Sequence, residues 1–138
     1  MAQQIVSELE CCLHDDFTEL AITPDQRESI EAFLAPLKYK SPVTKLHYDH
    51  CIRVGLLAKK IAGFMHLDEK ALFYAGLLHD VGKSSICLDV LGKTNDWSPE
   101  DAEYIKQHVT NGYEMIRGRF DFTSEIIIRH HRFQHNPY

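Results

Sequence analysis

Apolar residues recur at spacings of three and four along nearly the whole chain, the period of an amphipathic helix, and no stretch alternates with the period of two that marks a strand. A first helix is expected over about 2–20, with a loose pattern. Thr23-Pro24-Asp25-Gln26 then reads as a helix start, with a threonine cap, proline at the first helical position and a glutamine to complete a capping box. Ile30, Phe33, Leu34 and Leu37 give that second helix its apolar face, and Ser41-Pro42 breaks the chain before a third. In the third helix Leu46, His50, Val54, Leu57, Ala58, Ile61 and Met65 share one stripe, with Lys59 and Lys60 off it, which points His50 at the core. Asp68 is placed to cap a fourth helix through 71–78 that is apolar nearly all round, as a central helix would be. Gly82 suits its end, where a left-handed residue is common. A loop over 84–96 with a short helical piece near 86–91 follows. Ser98-Pro99 starts another helix with Ala102, Ile105, His108 or Val109, Gly112 and Ile116 inward, and a last helix over roughly 123–131 carries Ile126, Ile127 and Ile128 into His130-His131. The expected fold is an all-α bundle of about six to seven helices with little or no sheet.

The 138 residues suit one domain, long enough to bury roughly two-thirds of the unfolded surface. Residues 1–40 read as an N-terminal helical extension and 43–138 as the core. The formal charge of -5 argues against a general basic surface for nucleic acid, but a small phosphorylated ligand needs only a local positive site. The four cysteines form no C-x-x-C pair, and neither a signal-peptide apolar region nor a bilayer-length apolar run is present. Reduced thiols and a cytoplasmic location are therefore expected. Oligomeric state cannot be read from this pattern.

The chemistry concentrates at Leu77-Leu78-His79-Asp80-Val81-Gly82-Lys83, where an apolar helix runs into an imidazole and a carboxylate. Beside a core, both need a partner, and a metal ion is a good one. A lone histidine on an apolar stripe is more often a satisfied core residue, and that holds for His50 or His108 taken singly. Here His50, His79, His108, His130 and His131 sit on the inward sides of separate helices, the way helical bundles assemble metal sites. Adjacent helical residues point about 100° apart, so the pairs His79-Asp80 and His130-His131 could serve two neighbouring ions. Asp80, with two oxygens, could bridge them, and the mixed donor set suits Fe, Mn, Co, Ni or Zn better than Ca.

These residues resemble the HD superfamily of metal-dependent phosphohydrolases from about residue 43 onward. His50-Cys51-Ile52-Arg53-Val54 is similar to the first histidine with its following x-x-R-V, His79-Asp80 to the doublet that names the family, and Lys83 to the lysine of its H-D-x-G-K variant. His108 with Gly112, and His130-His131, match the later stations. The resemblance implies a binuclear site of His50, His79, Asp80, His108, His130 and His131, with Asp80 and Lys83 catalytic and Lys83 and Arg53 toward the substrate. It implies two divalent transition metals, Fe or Mn first and Zn, Ni, Co or Mg after them. The implied activity is hydrolysis of a phosphomonoester or phosphodiester, nucleotide-like in kind, with no membrane and no general nucleic-acid partner. The HD-GYP branch is also similar, but its G-Y-P signature is missing from Arg132-Phe133-Gln134-His135, so the cyclic di-GMP substrate of that branch is not carried over. Leu46 stands where some members place a glutamate for a third metal, so a trinuclear site is not expected. Members supply a last aspartate beyond the paired histidines, whereas Asp121, the nearest one here, precedes them. The alternative reading is therefore a catalytically degenerate, ligand-sensing module. His47, one turn before His50, and His135 are secondary candidates, and the segment 84–97 with the tail 132–138 is expected to shape the pocket, with Trp97 and Phe133 more simply packing than base-stacking.

Overall fold

The computed structural model describes residues 7–131, which hold seven α-helices, one short 3-10 helix and no strand. In chain order these are α1 (Glu8–Glu19), α2 (Pro24–Tyr39), α3 (Pro42–Met65), α4 (Glu69–Leu78), the 3-10 helix (Val81–Ser85), α5 (Leu88–Leu91), α6 (Pro99–Ile116) and α7 (Asp121–Ile127). The start signals in the sequence act as caps. Ser7, Thr23, Ser41, Asp68 and Ser98 each accept a hydrogen bond from a backbone N–H three residues on. Ser41 with Thr44 and Ser98 with Asp101 form reciprocal capping boxes, each followed by proline at the first helical position. Gln26 does not complete a box, because its side-chain oxygen accepts from the Tyr74 hydroxyl of α4 at 2.6 Å instead.

The central element is α4, whose residues Phe73 to Leu78 are all buried. It crosses α3 closely enough that a Cβ on Gly76 would lie 2.6 Å from the Gly55 Cα. Phe17 of α1 meets Phe73 edge-on at 5.5 Å between ring centroids, and Leu34, Leu37, Ile52, Ile116 and Ile127 complete one core around α4. Ile86, Leu91 and Ile105 form a smaller cluster, against which Trp97 packs.

The apolar stripe assigned to the inside of α3 lies mostly outside. Leu46, Leu57, Ile61 and Met65 are exposed, and so is His50, whereas the packed face consists of Thr44, Tyr48, Cys51, Ile52, Gly55, Lys59 and Ala62. The reason is the tight α3–α4 crossing, which selects small residues, together with polar side chains whose partners lie on other helices. Lys59 is the clearest case: its ammonium lies 3.1 Å from Asp16 and 2.9 Å from Glu19, tying α3 to α1. Burial works against that charge, but Glu19 and Asp16 outweigh it and raise the lysine above its ordinary value.

Three further expectations shift. Gly82 is not left-handed, since no glycine has positive φ among the described residues. Its role is steric: a Cβ there would lie 1.9 Å from the His108 carbonyl oxygen and 2.6 Å from the Gly112 nitrogen, so the 3-10 helix and α6 touch backbone to backbone. The last helix ends at Ile127, and His130 and His131 lie in the turn after it. The start of α1 at Glu8 also shortens the expected first helix, whose residues 2–6 lie outside the described ones.

Gly82→Ala is expected to cost about 3 kcal/mol, the upper end for overpacking, and to lower the melting temperature accordingly. Changing Asp16 and Glu19 together to Ala strands a buried ammonium and should cost about 2 kcal/mol, whereas Lys59→Met should cost under about 1 kcal/mol, because it removes the charge along with its need for partners. Since the folded-state value of Lys59 is raised, its stabilisation is present below the ordinary lysine range and is lost as pH rises past it. Chemical denaturation of the variants at neutral and alkaline pH checks both statements.

Candidate metal centre

Asp80 follows the C-terminal end of α4 and opens the 3-10 helix, where Gly82 lets the chain turn against α6. That turn brings the carboxylate under His108, which is fully buried on α6. His50 reaches it from α3, His79 from the end of α4, and His130 from the turn after α7. The two carboxylate oxygens face different groups. Oδ2 lies 3.3 Å from His50 Nε2, 3.1 Å from His79 Nε2 and 3.2 Å from Lys83 Nζ. Oδ1 lies 3.1 Å from His108 Nε2 and 3.3 Å from His130 Nε2. The His131 ring lies tilted 4.1 Å from that of His130 and edge-on 5.4 Å from that of His108, between centroids.

The histidine tautomers follow from the backbone. Nδ1 of His79 donates to the Gly76 carbonyl at 2.7 Å, Nδ1 of His108 to Ile105 at 2.6 Å, and Nδ1 of His130 to Ile127 at 2.6 Å. A carbonyl can only accept, so in each neutral ring the proton sits on Nδ1 and the Nε2 lone pair points at Asp80. Lone pair then faces lone pair where His79, His108 and His130 meet the carboxylate. The same conflict recurs between two rings, at 3.3 Å from His108 Nε2 to His130 Nε2. Asp80 Oδ1 is accordingly a buried oxygen with no hydrogen-bond partner, despite two nitrogens within 3.3 Å. Positive charge between these atoms removes the repulsion, and a divalent cation does so at several contacts at once. Burial pushes the Asp80 carboxyl up; only with protons on Nε2 as well would His108, His130, His50 and His79 donate to it, and they would then outweigh burial and hold the acid well below the ordinary carboxylate range.

Two groups of ligand atoms can each hold a metal ion: His50, His79 and Asp80, and Asp80, His108, His130 and His131. The donor set fits such an ion on three counts: orphaned oxygen, converging lone pairs and mixed imidazole and carboxylate chemistry.

Beside the cluster runs a groove of about 410 Å³ lined by Val43, Leu46, His47, His50, Lys83, Leu91, Gly92, Lys93 and Thr94. His47 is half-buried there, its pKa lowered by burial first and by the Lys83 charge second. The sequence places the far wall only coarsely, inside the segment 84–97. Val43, Gly92, Lys93 and Thr94 carry no spacing signal that could have singled them out. Lys83 joins the cluster, but Arg53 does not: it is exposed, away from the groove lining, and without an ion pair among the described residues. Asp121 is exposed in the first turn of α7, outside both ligand groups. The candidates Phe133 and His135 lie outside the described residues.

An all-helical domain with a buried carboxylate ringed by imidazoles from four segments is thus defined. The chain belongs to the HD domain family, whose profile matches residues 47–138. It is 34% identical over 89 residues to a cyclic di-GMP phosphodiesterase of Thermotoga maritima, covering 59% of this chain and 24% of the relative. It is 34% identical over 100 residues to ribonuclease Y of Lactobacillus gasseri, covering 71% of this chain and 16% of the relative. A third relative, the cyclic di-GMP phosphodiesterase response regulator RpfG of Xanthomonas campestris, is 26% identical over 110 residues, covering 77% and 29%. The chain thus spans less than a third of the length of these curated relatives. No solved structure gives a significant match. No helix among the described residues is long and apolar enough to cross a membrane.

Divalent metal at about a hundred times its dissociation constant should add about 2.7 kcal/mol to the unfolding free energy. Thermal melting with Mn(II), or with Fe(II) under anaerobic conditions, should show the rise, a chelator should reverse it, and Asp80→Ala should abolish it.

Proposed function

We propose that the chain is a metal-dependent phosphohydrolase acting on a phosphoester with a nucleotide-like leaving group. The observation that carries this reading is Asp80: a buried carboxylate with each oxygen turned to its own set of imidazoles, 3.1–3.3 Å away, is built to hold two cations side by side. His50 and His79 would complete one position, and His108, His130 and His131 the other, with Fe or Mn the first choice and Zn, Ni, Co or Mg after them. When bound, such ions supply Lewis acidity toward a water nucleophile and toward the phosphoryl oxygens.

The chain's own residues do the rest. Asp80 sets the spacing between the two positions. The main-chain carbonyls behind His79, His108 and His130 hold the rings in the tautomer that leaves Nε2 free. Lys83 reaches both the carboxylate and the groove, so its ammonium can turn from Asp80 to a phosphoryl oxygen. Val43, Leu46 and Leu91 offer an apolar surface for the leaving group, and His47 a polar edge. Arg53, expected from the resemblance to face the substrate, receives no part in this reading. The named activities of the relatives, cyclic di-GMP phosphodiesterase and ribonuclease Y, support phosphodiester cleavage as the first chemistry to try. The position of Asp121 outside the cluster favours a second reading, a ligand-sensing domain that keeps the metal without turnover.

Anaerobically purified protein should contain about two metal ions per chain by elemental analysis and hydrolyse an aryl phosphodiester with Mn or Fe present. Asp80→Asn and His79→Ala should each lower kcat by at least about 10³-fold and Lys83→Met by about 10²-fold, with helical circular dichroism unchanged. Two bound metals with no turnover on monoesters, diesters or cyclic dinucleotides would leave the sensing reading in its place.

A further inference from the structure

Most of the large apolar side chains exposed among the described residues gather on one helix. Leu57, Ile61, Phe64 and Met65 line the outer side of α3, Leu67 continues the line just past its end, and Leu46 stands at its start. Phe64 is 87% exposed, more than any other large apolar side chain among the described residues. Leu57, Ile61 and Phe64 follow the four-then-three spacing of a helix-pairing seam. The five side chains from Leu57 to Leu67 present on the order of 500 Å² of apolar surface, within the range of the largest patch on a typical monomer. A rigid helix of 24 residues carries the patch, with its other side already committed to α4 and α1.

We propose that this face is the interface between two copies of the chain, with their α3 helices packed antiparallel about a twofold axis close to Lys60 and Ile61. The charges at its two ends choose both partner and direction. Arg53 flanks the patch at one end and Asp68 at the other; both are exposed, and neither has an ion pair among the described residues. Antiparallel pairing centred on the apolar stretch sets Leu57 against Phe64 and brings Arg53 of each copy toward the α3–α4 turn of the other, where Asp68 lies. Parallel pairing would instead set Arg53 on Arg53 and Asp68 on Asp68. Two such faces bury roughly 1,000 Å², the area at which a specific interface begins. A lipid surface fits less well, because the chain carries a net charge of -5 and Asp68 and Glu69 border the patch. His50 lies almost a full turn before Arg53, beyond the paired stretch, so dimerisation leaves the metal cluster and its groove accessible.

Sedimentation equilibrium of the full chain should give twice its 15.9 kDa mass at micromolar concentration. The double variant L57E/F64E should weaken the dimer by at least about 100-fold while keeping its helical circular dichroism and its metal-dependent rise in melting temperature. With the exposed Cys11, Cys12 and Cys87 changed to Ser, I61C should form a disulfide-linked dimer on oxidation, whereas L46C, far from the axis, should not. A wild-type monomer at every concentration overturns the proposal, as does a double variant that stays dimeric. Linking through L46C but not I61C overturns the antiparallel arrangement. A monomer that floats with phosphatidylserine-containing vesicles, and loses this in L57E/F64E, would give the face to a lipid surface instead.

Discussion

A carboxylate that cannot be satisfied by its neighbours lies at the centre of this molecule. Asp80 is nearly fully buried, and of the five side chains closest to it four are imidazoles, three of which turn their protons the other way, into main-chain carbonyls. Lys83 alone brings a permanent positive charge, and it reaches only one oxygen. Fold and function meet in that imbalance. The helices deliver the donors, and the donors repel one another until cations come between them. A core built for stability alone would place hydrocarbon here, since an incompletely compensated buried charge is among the costlier features a protein can carry.

The geometry that makes this possible is set by backbone rather than by side chains. Gly82 lets the 3-10 helix lie against the His108 carbonyl, bringing α6 down onto Asp80, and Gly55 with Gly76 lets α3 close on α4, bringing His50 within reach of His79. The ligands arrive from four separate segments, α3, the end of α4, α6 and the turn after α7, so the site exists only when those segments have packed together. Capping boxes at Ser41 and Ser98 set where two of those elements begin, and hence the height at which His50 and His108 stand.

Much of this was legible in the sequence, for identifiable reasons. Proline and serine punctuation marked the helix starts, because caps are local chemistry. The continuous apolar run of α4 marked the centre, and histidines in separate helices marked the cluster. The orientation of α3 was not legible. Periodicity locates an apolar stripe but cannot say whether it faces this chain or another, and here the inner face holds Lys59, Thr44 and Gly55, whose partners come from distant segments. Gly82 was noticed for the wrong property, since close approach and left-handed backbone leave the same mark in a sequence. The groove was invisible beyond its segment, because Val43 and Gly92 meet only through the fold.

The three histidines that lean on carbonyls do so in one way: each bonds the carbonyl three residues before it. Many metal sites orient their imidazoles with a second ring of acidic side chains, which must be kept along with the ligands. Here the supporting atoms belong to the main chain, and at Ile105 and Ile127 they survive any change of side chain that preserves the helix. The surroundings of the site are therefore free to drift in sequence, and a groove could be recut for a different substrate without disturbing the alignment of the ligands. The cost lies in helix ends: the fraying of one last turn would release a ligand and its orientation together.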